Sequence, residues 1–436
     1  MKKRLLFLML SACMLCAVSL NYISKDDEIS LIDTKETIIT GATDISEWSD
    51  LNACSDRNEG QTTEVSQAEI EVQSEGEEVA DAHDCETELS ADLSESYGTE
   101  YAYGCLNDRD KMLYREIYII LKDFGTDMPL STNDPDIISD IFQCVLNDHP
   151  EIFYVNGYTY TTYMRDEVVE QLTISGTYTM TREKAEQCQD IIDIYVTQCF
   201  AGMDDTYSDY DKVKYVYEYL IANTEYNLLA PDNQNICSVF INGESVCQGY
   251  AKAMQYLLNK AGVFCTLVIG SVSEGEGHAW NLVQMDGNYY YVDTTWGDAS
   301  YQMEEGIEDA WQSKLPDINY DYLGVTTEQL QKTHRFNNVV PLPYCISMEC
   351  NYYVREGTFI DSCDEESLAY IFDNALSDNE EYITLKCSDS EVYAQVKKLL
   401  LDEQKIFHYL RQTDGSVAYS DNDEQHSLSF WLWDES

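Results

Sequence analysis

The chain has 436 residues, of which 44% are hydrophobic and 12% aromatic; that is enough to bury two or three cores and excludes a chain disordered throughout. Its 80 acidic and 26 basic side chains give a formal charge of −54, a surface that repels polyanions. Nucleic acid is therefore not an expected partner, nor is an anionic membrane surface for the folded part.

The N-terminus opens with Met1-Lys2-Lys3-Arg4 and an apolar run over 5–20, the basic and hydrophobic regions of an export signal. Leu10-Ser11-Ala12-Cys13 matches the box at which lipoproteins are cut and lipidated. The apolar continuation Met14 to Val18 fits cleavage after Ser19 or retention as an anchor equally well. All three outcomes put the protein outside the cell or on its surface, touching membrane only through residues 1–20, and no later segment is long and apolar enough to span a bilayer. Residues 21–100 are rich in Asp, Glu, Ser and Thr and poor in aromatics, as in Glu69 to Glu78 (EIEVQSEGEE). They bury too little apolar area to offset chain entropy and are expected to form a disordered acidic linker. Fifteen cysteines suit an oxidising exterior, and the thirteen outside the signal, an odd number, leave at least one thiol free or paired between chains.

A mainly helical region is expected over 101–205. Leu113, Ile117, Ile120 and Leu121 recur at helical spacing, as do Ile137, Ile141, Cys144 and Val145. Asp148-His149-Pro150-Glu151 then makes a turn, in which His149 is expected to have a structural role rather than to act as a ligand or base, followed by strand candidates at 152–155 and 158–163. Helices are expected over 181–200 and 209–222, the second with a core stripe of Val213, Val216, Tyr217 and Leu220.

The chemistry lies between Gly243 and Gly297. After Val246, Ala251, Met254, Leu258 and Ala261 share one helical face and Gly262 ends the helix, so Cys247 sits at its N-terminus. Unpaired N–H groups and the positive end of the helix dipole favour a thiolate there and supply part of an oxyanion hole. Strands follow at 263–269 and 278–283, then an Asp286-Gly287 turn and a return strand over 289–294. A two-residue turn places Asp293 opposite Trp280 and diagonal to His278 on one sheet face, where a carboxylate reaches an imidazole. A three-residue loop would put them on opposite faces. Cysteine as nucleophile, histidine as base and aspartate as orienter make an acyl-transfer site, and none of the other five histidines sits in comparable company.

V-C-Q-G-Y-A around Cys247, G-H-A-W-N around His278 and Y-V-D-T-T-W around Asp293 resemble the transglutaminase-like superfamily, similar in fold to papain-type proteases. Thr333-His334-Arg335 resembles a stretch that closes the domain in bacterial members, and Asp148 to Phe153 resembles the N-terminal region of exported ones. The resemblance implies an α+β, papain-like core over 206–340, with the cysteine on a helix and the His and Asp on an antiparallel sheet. It also implies a thioester at Cys247, with His278 as base and Asp293 as its orienter, formed from protein or peptide substrates, cell-wall peptides included. Cross-linking, deamidation and peptide cleavage all stay open, as does a catalytically inactive surface-binding or scaffolding module. Asn242 and Gln248 are candidates for the second oxyanion donor. No cofactor motif and no metal-ligand spacing are present, and the animal enzymes' calcium has no EF-hand-like loop here. Over 341–436, a strand at 351–360, a helix at 365–377, a strand at 382–387, a helix at 390–401 and a strand at 427–433 suggest a small α/β domain without recognisable chemistry.

Overall fold

The computed structural model describes residues 33–39 and 100–432 except 166–167, 273–274, 299–317, 412–416 and 418. The expected export signal and most of the expected linker lie outside the described residues. Within the linker, Asp33–Ile39 (β1) is a strand, paired along Tyr158–Met164. The first helices are α1 (Tyr101–Cys105), α2 (Asp108–Lys122) and α3 (Ile138–Asp148). Asn107 starts α2 by accepting from the Arg109 and Asp110 amides, and the expected apolar stripes are buried except for the partly buried Ile137, which precedes α3.

The region is less helical than expected. Strands β3 (Val155–Arg165) and β4 (Val168–Tyr178) form a long hairpin, completed by β1 and the short β2 (Met128–Pro129) in the order β1-β3-β4-β2. Period-2 reasoning misses β4 because its buried residues, Leu172, Thr173 and Ile174, are consecutive rather than alternating. Ile152 to Tyr154 is a buried turn, not a strand: the Ile152 amide bonds His149 O and the Val155 amide bonds Ile152 O.

Helix α4 (Arg182–Phe200) is capped by Thr181 and α5 (Asp209–Asn223) by a Ser208–Asp211 capping box. Val213, Val216, Tyr217 and Leu220 of α5 are fully buried, as their spacing predicts. A short parallel pair, β5 (Glu225–Tyr226) and β6 (Glu244–Ser245), leads into α6 (Cys247–Lys260). This helix packs on an antiparallel sheet of β7 (Cys265–Ser271), β8 (Gly277–Met285), β9 (Asn288–Val292), β10 (Leu323–Val325) and β11 (Arg335–Phe336), ordered β10-β9-β8-β7-β11. A helix laid on an antiparallel sheet is the expected α+β, papain-like core.

Residues 341–350 run along this core. Pro341 O accepts from Tyr101 Oη and Pro343 O from Tyr291 Oη, and Cys345 and Cys350 belong to its apolar clusters. The C-terminal apolar cluster starts only at Ile360. There β12 (Phe359–Ile360), β13 (Tyr382–Cys387), β14 (Tyr419–Asn422) and β15 (Ser427–Trp431) form a sheet ordered β12-β13-β15-β14, with helices Glu365–Ser377 and Ser390–Lys397 beside it. The strand expected from 351 is instead a helical turn, Tyr352–Arg355, whose Tyr352 ring stacks on Tyr320 at 3.7 Å. Among the described residues no helix is long and apolar enough to cross a membrane.

Candidate active site

Cys247 is the first residue of α6, preceded by Val246 in extended conformation, and is 8% exposed. Gly249 lets the first turn descend onto the preceding loop. A Cβ there would lie 2.0 Å from Ser245 Oγ and 2.8 Å from Ser238 Oγ, two hydroxyls that bond each other at 2.6 Å. Asn281 of β8 donates to Ala251 O at 2.9 Å, fixing the cysteine helix to the histidine strand.

The hairpin register agrees with the two-residue turn. Asp286 and Gly287 have φ of +50° and +83°, Met285 pairs with Asn288, and pairing continues to Asn281 opposite Val292. The return strand is shorter than expected, because Asp293 leaves the ladder. Its amide donates to Tyr322 O, and its Oδ1 accepts from the Thr295 and Trp296 amides at 3.0 and 3.1 Å, capping the turn α7 (Thr294–Gly297). That cap turns Oδ2 toward His278, whose Nε2 lies 2.7 Å away. Cys247 lies close enough to His278 to raise its pKa, after Asp293.

Sequence reasoning missed a fourth member. His334 Nε2 lies 2.9 Å from the same Asp293 Oδ2, and its Nδ1 lies 2.7 Å from Thr333 Oγ1. The network is satisfied when Thr333 donates to Nδ1 and Nε2–H donates to the carboxylate. Strand pairing brings His334 in, since Phe336 faces Gly270 on β7 and Gly270 faces His278 on β8. The Thr333-His334-Arg335 motif was its only signal.

Asp293, His278 and His334 are all buried. Burial alone would raise the Asp293 carboxyl, but His278 and then His334 hold it well below the usual carboxylate range. Burial likewise pulls His278 down, yet the Asp293 charge and then Cys247 raise it to about 10, so it is an imidazolium at neutral pH. For His334 burial wins over Asp293, lowering its pKa and keeping the ring neutral. The three side chains also form a His, Asp, His cluster within 4.8 Å. Their separations of 2.7 and 2.9 Å are hydrogen-bond lengths. A tetrahedral metal with bonds of about 2.0–2.1 Å would hold its ligand atoms about 3.3 Å apart. Trp280 and Trp296 wall the cluster, with ring centroids 4.8 and 4.9 Å from His334.

Neither candidate for the second oxyanion donor is drawn into this network. Asn242 is exposed and donates to Pro231 O, and Gln248 is buried on α6 with its Oε1 unbonded. The eleven described cysteines form no disulfide with one another, although thiol–thiol contact between Cys188 and Cys237 is close enough to raise the Cys237 pKa after burial.

A helix-borne cysteine facing a histidine and aspartate on an antiparallel sheet defines the papain-like class of folds. Residues 195–294, which contain all three side chains, match the model of the transglutaminase-like superfamily, and the chain carries a domain of that superfamily. It is 27% identical over 162 residues to human (Homo sapiens) kyphoscoliosis peptidase, covering 31% of this chain and 23% of that protein. The mouse (Mus musculus) protein of the same name is 25% identical over 141 residues, covering 28% and 20%. The chain thus spans under a quarter of the length of these curated relatives. A crystal structure described as a TGase aligns with 37% of this chain and 50% of its own, at 15% identity and a TM-score of 0.25.

Proposed function

We propose that the chain is an exported, cell-surface or secreted cysteine enzyme that acts on protein or peptide amides, cell-wall peptides among them, through a thioester at Cys247. One observation carries this reading: His278 is held between Asp293, at 2.7 Å, and the thiol at the start of α6. In the mechanism, the Cys247 sulfur attacks the amide carbon, and His278 delivers its proton to the leaving amine. The N–H groups of the first turn of α6, which have no intrahelical partners, receive the oxyanion. A water or a primary amine then attacks the thioester and loses its proton to His278, releasing an acid or a new amide and restoring Cys247. Asp293 keeps Nε2 protonated, so that Nδ1 carries the transferable proton. The matched relatives are named peptidases, which favours water as acceptor.

The test incubates the full chain with a peptide library and a primary amine and reads products by mass spectrometry. A cut backbone, a deamidation shift or a gain of amine mass identifies hydrolysis, deamidation or cross-linking. Cys247→Ala abolishes all three, and iodoacetamide labels Cys247 ahead of the other thiols at neutral pH. Labelling spread evenly over many thiols, with no turnover dependent on Cys247, would leave the inactive binding module as the surviving reading.

A further inference from the structure

Between the sheet of the candidate site and the C-terminal sheet lies a cavity of about 290 Å³ that the acyl-transfer chemistry does not use. Its lining joins the stretch from Thr326 to Lys332, the extended residues 344–348, the start of β12 and the end of β13. In a chain of formal charge −54 its polar side is basic: Lys332 and Lys386 both line it, and His426 Nδ1 lies 3.4 Å from Lys332 Nζ. The two lysines differ. Lys386 is almost fully buried and paired with Asp321 at 2.8 Å. Lys332 is partly exposed, and no carboxylate among the described residues forms an ion pair with it. Burial and then the Lys386 charge lower its pKa, against the more distant attraction of Asp321, Glu328 and Glu424. His426 is lowered in the same way, by burial and then by Lys332 and Lys386. The cavity thus presents one accessible ammonium without an ion-pair partner.

The rest of the lining is largely apolar and open to solvent. Tyr344 and Ile346 are 66% and 78% exposed, on either side of a buried Cys345. Cys345 is pinned at both ends of its backbone: its amide donates to Thr327 Oγ1 at 2.8 Å, and its carbonyl accepts from the Thr327 amide at 3.0 Å. In extended chain, successive side chains point to opposite sides, so fixing Cys345 inward turns both neighbours outward. Met348 and Phe359, partly buried, continue the apolar lining. Large apolar side chains held out beside an ammonium mark an interaction site. A complementary ligand carries one negative charge next to an apolar group. Inorganic phosphate has no apolar part, and an acidic side chain needs a second residue to supply one. Among protein groups, only at the end of a chain does a carboxylate share its carbon with an apolar side chain. The volume, just under the roughly 300–1,000 Å³ of pockets for drug-sized ligands, suits one terminal residue.

We infer that this cavity binds the C-terminal residue of a peptide, its carboxylate on Lys332 and an apolar side chain against Tyr344, Ile346, Met348 and Phe359. The site is separate from the thiol and is retained in Cys247→Ala. Hydrolysis by the proposed reaction generates such chain ends, but their recognition here does not rest on that reading.

The experiment titrates the full chain with N-acetyl-leucine, N-acetyl-leucinamide, N-acetylglycine and inorganic phosphate, following the ligands by nuclear magnetic resonance. N-acetyl-leucine binds saturably at one site. The amide, lacking the charge, and N-acetylglycine, lacking the apolar side chain, each bind about tenfold or more weakly. Phosphate leaves N-acetyl-leucine bound. Lys332→Gln removes a cation without breaking an ion pair, so it keeps the melting temperature and erases the preference for acid over amide. Ile346→Ser, at an exposed position, brings N-acetyl-leucine down toward N-acetylglycine. Cys247→Ala gives the wild-type titrations whether or not the thiol turns over peptide amides. The inference is overturned if N-acetyl-leucine fails to saturate, if its amide binds equally, if phosphate displaces it, or if Lys332→Gln keeps the preference for the acid.

Discussion

Asp293 is the residue on which the candidate site turns, because its two oxygens do different work. Oδ1 caps α7, while Oδ2 receives both histidines. In Asp293→Asn the amide oxygen keeps the cap, and the NH2 group faces two ring N–H donors. His278 must then switch tautomer and present Nδ1–H to Cys247, where it cannot accept a proton. Turnover should fall about 10³- to 10⁴-fold with little change in folded content, measured by kinetics alongside circular dichroism. His334 is a positioning residue, with no contact to the thiol assigned to it. His334→Gln keeps a donor to Oδ2 and should keep most activity. His334→Leu leaves His278 as the only side chain on that oxygen, which raises the His278 pKa further and moves the alkaline limb of the kcat/KM profile upward. Unchanged profiles in both variants would mean that His334 merely fills space. The sign for stability follows from the same shifts. The raised His278 pKa contributes stability that is complete below the unfolded value near 6.5 and is lost as pH climbs through about 10. The melting difference between wild type and His278→Gln should therefore shrink from pH 6 to pH 10. Asp293 acts oppositely: its depressed pKa stabilises above the unfolded carboxylate range, and that contribution fades as acid protonates it.

At the scale of elements, legibility in the sequence followed locality. The start of α6, the α5 stripe and the hairpin register were readable, because each depends on residues within a few turns or a single loop of one another. The Asp286-Gly287 turn set the register as far as Asn281 opposite Val292, but Asp293 leaves the ladder one residue later, so the α7 cap and not the pleat aims its carboxylate at His278. His334 was not readable as a site member. It lies 41 residues from Asp293 and arrives through pairing of β11 with β7, which no local periodicity encodes. Strand β4 escaped for a different reason, its burial being clustered and not alternating. Two changes probe the elements that matter. Inserting one residue between Asp286 and Gly287 should reverse the faces of β9 relative to β8, separate Asp293 from His278 and abolish turnover. Gly249→Ala drives a methyl into Ser245 Oγ and Ser238 Oγ, costs about 1–3 kcal/mol in chemical denaturation, and pushes the first turn of α6 off its seat. Iodoacetamide labelling of Cys247 should slow in that variant; an unchanged rate would show that the turn adapts without moving the sulfur.

Across the whole molecule, the C-terminal sheet is tied to the candidate site by a buried ion pair. Lys386 of β13 and Asp321 are 3% and 5% exposed and bond at 2.8 Å, with Ser427 donating to the other Asp321 oxygen at 2.8 Å. Asp321 precedes Tyr322, whose carbonyl takes the Asp293 amide and whose ring centroid lies 5.7 Å from that of His334. Through this pair the C-terminal sheet is joined to the segment whose carbonyl accepts the Asp293 amide. Lys386→Met leaves the Asp321 carboxylate buried without its cation, and should cost about 3–5 kcal/mol in denaturation. The double change Lys386→Met, Asp321→Leu removes the orphaned charge and should recover most of that stability, because breaking such a pair costs more than replacing it with apolar packing. Activity separates bracing from mere anchoring. If the pair positions Tyr322, the double variant stays stable but turns over slowly, as the Tyr322 carbonyl drifts and Asp293 loses its fixed orientation. If the pair only fastens the C-terminal sheet, stability and turnover recover together.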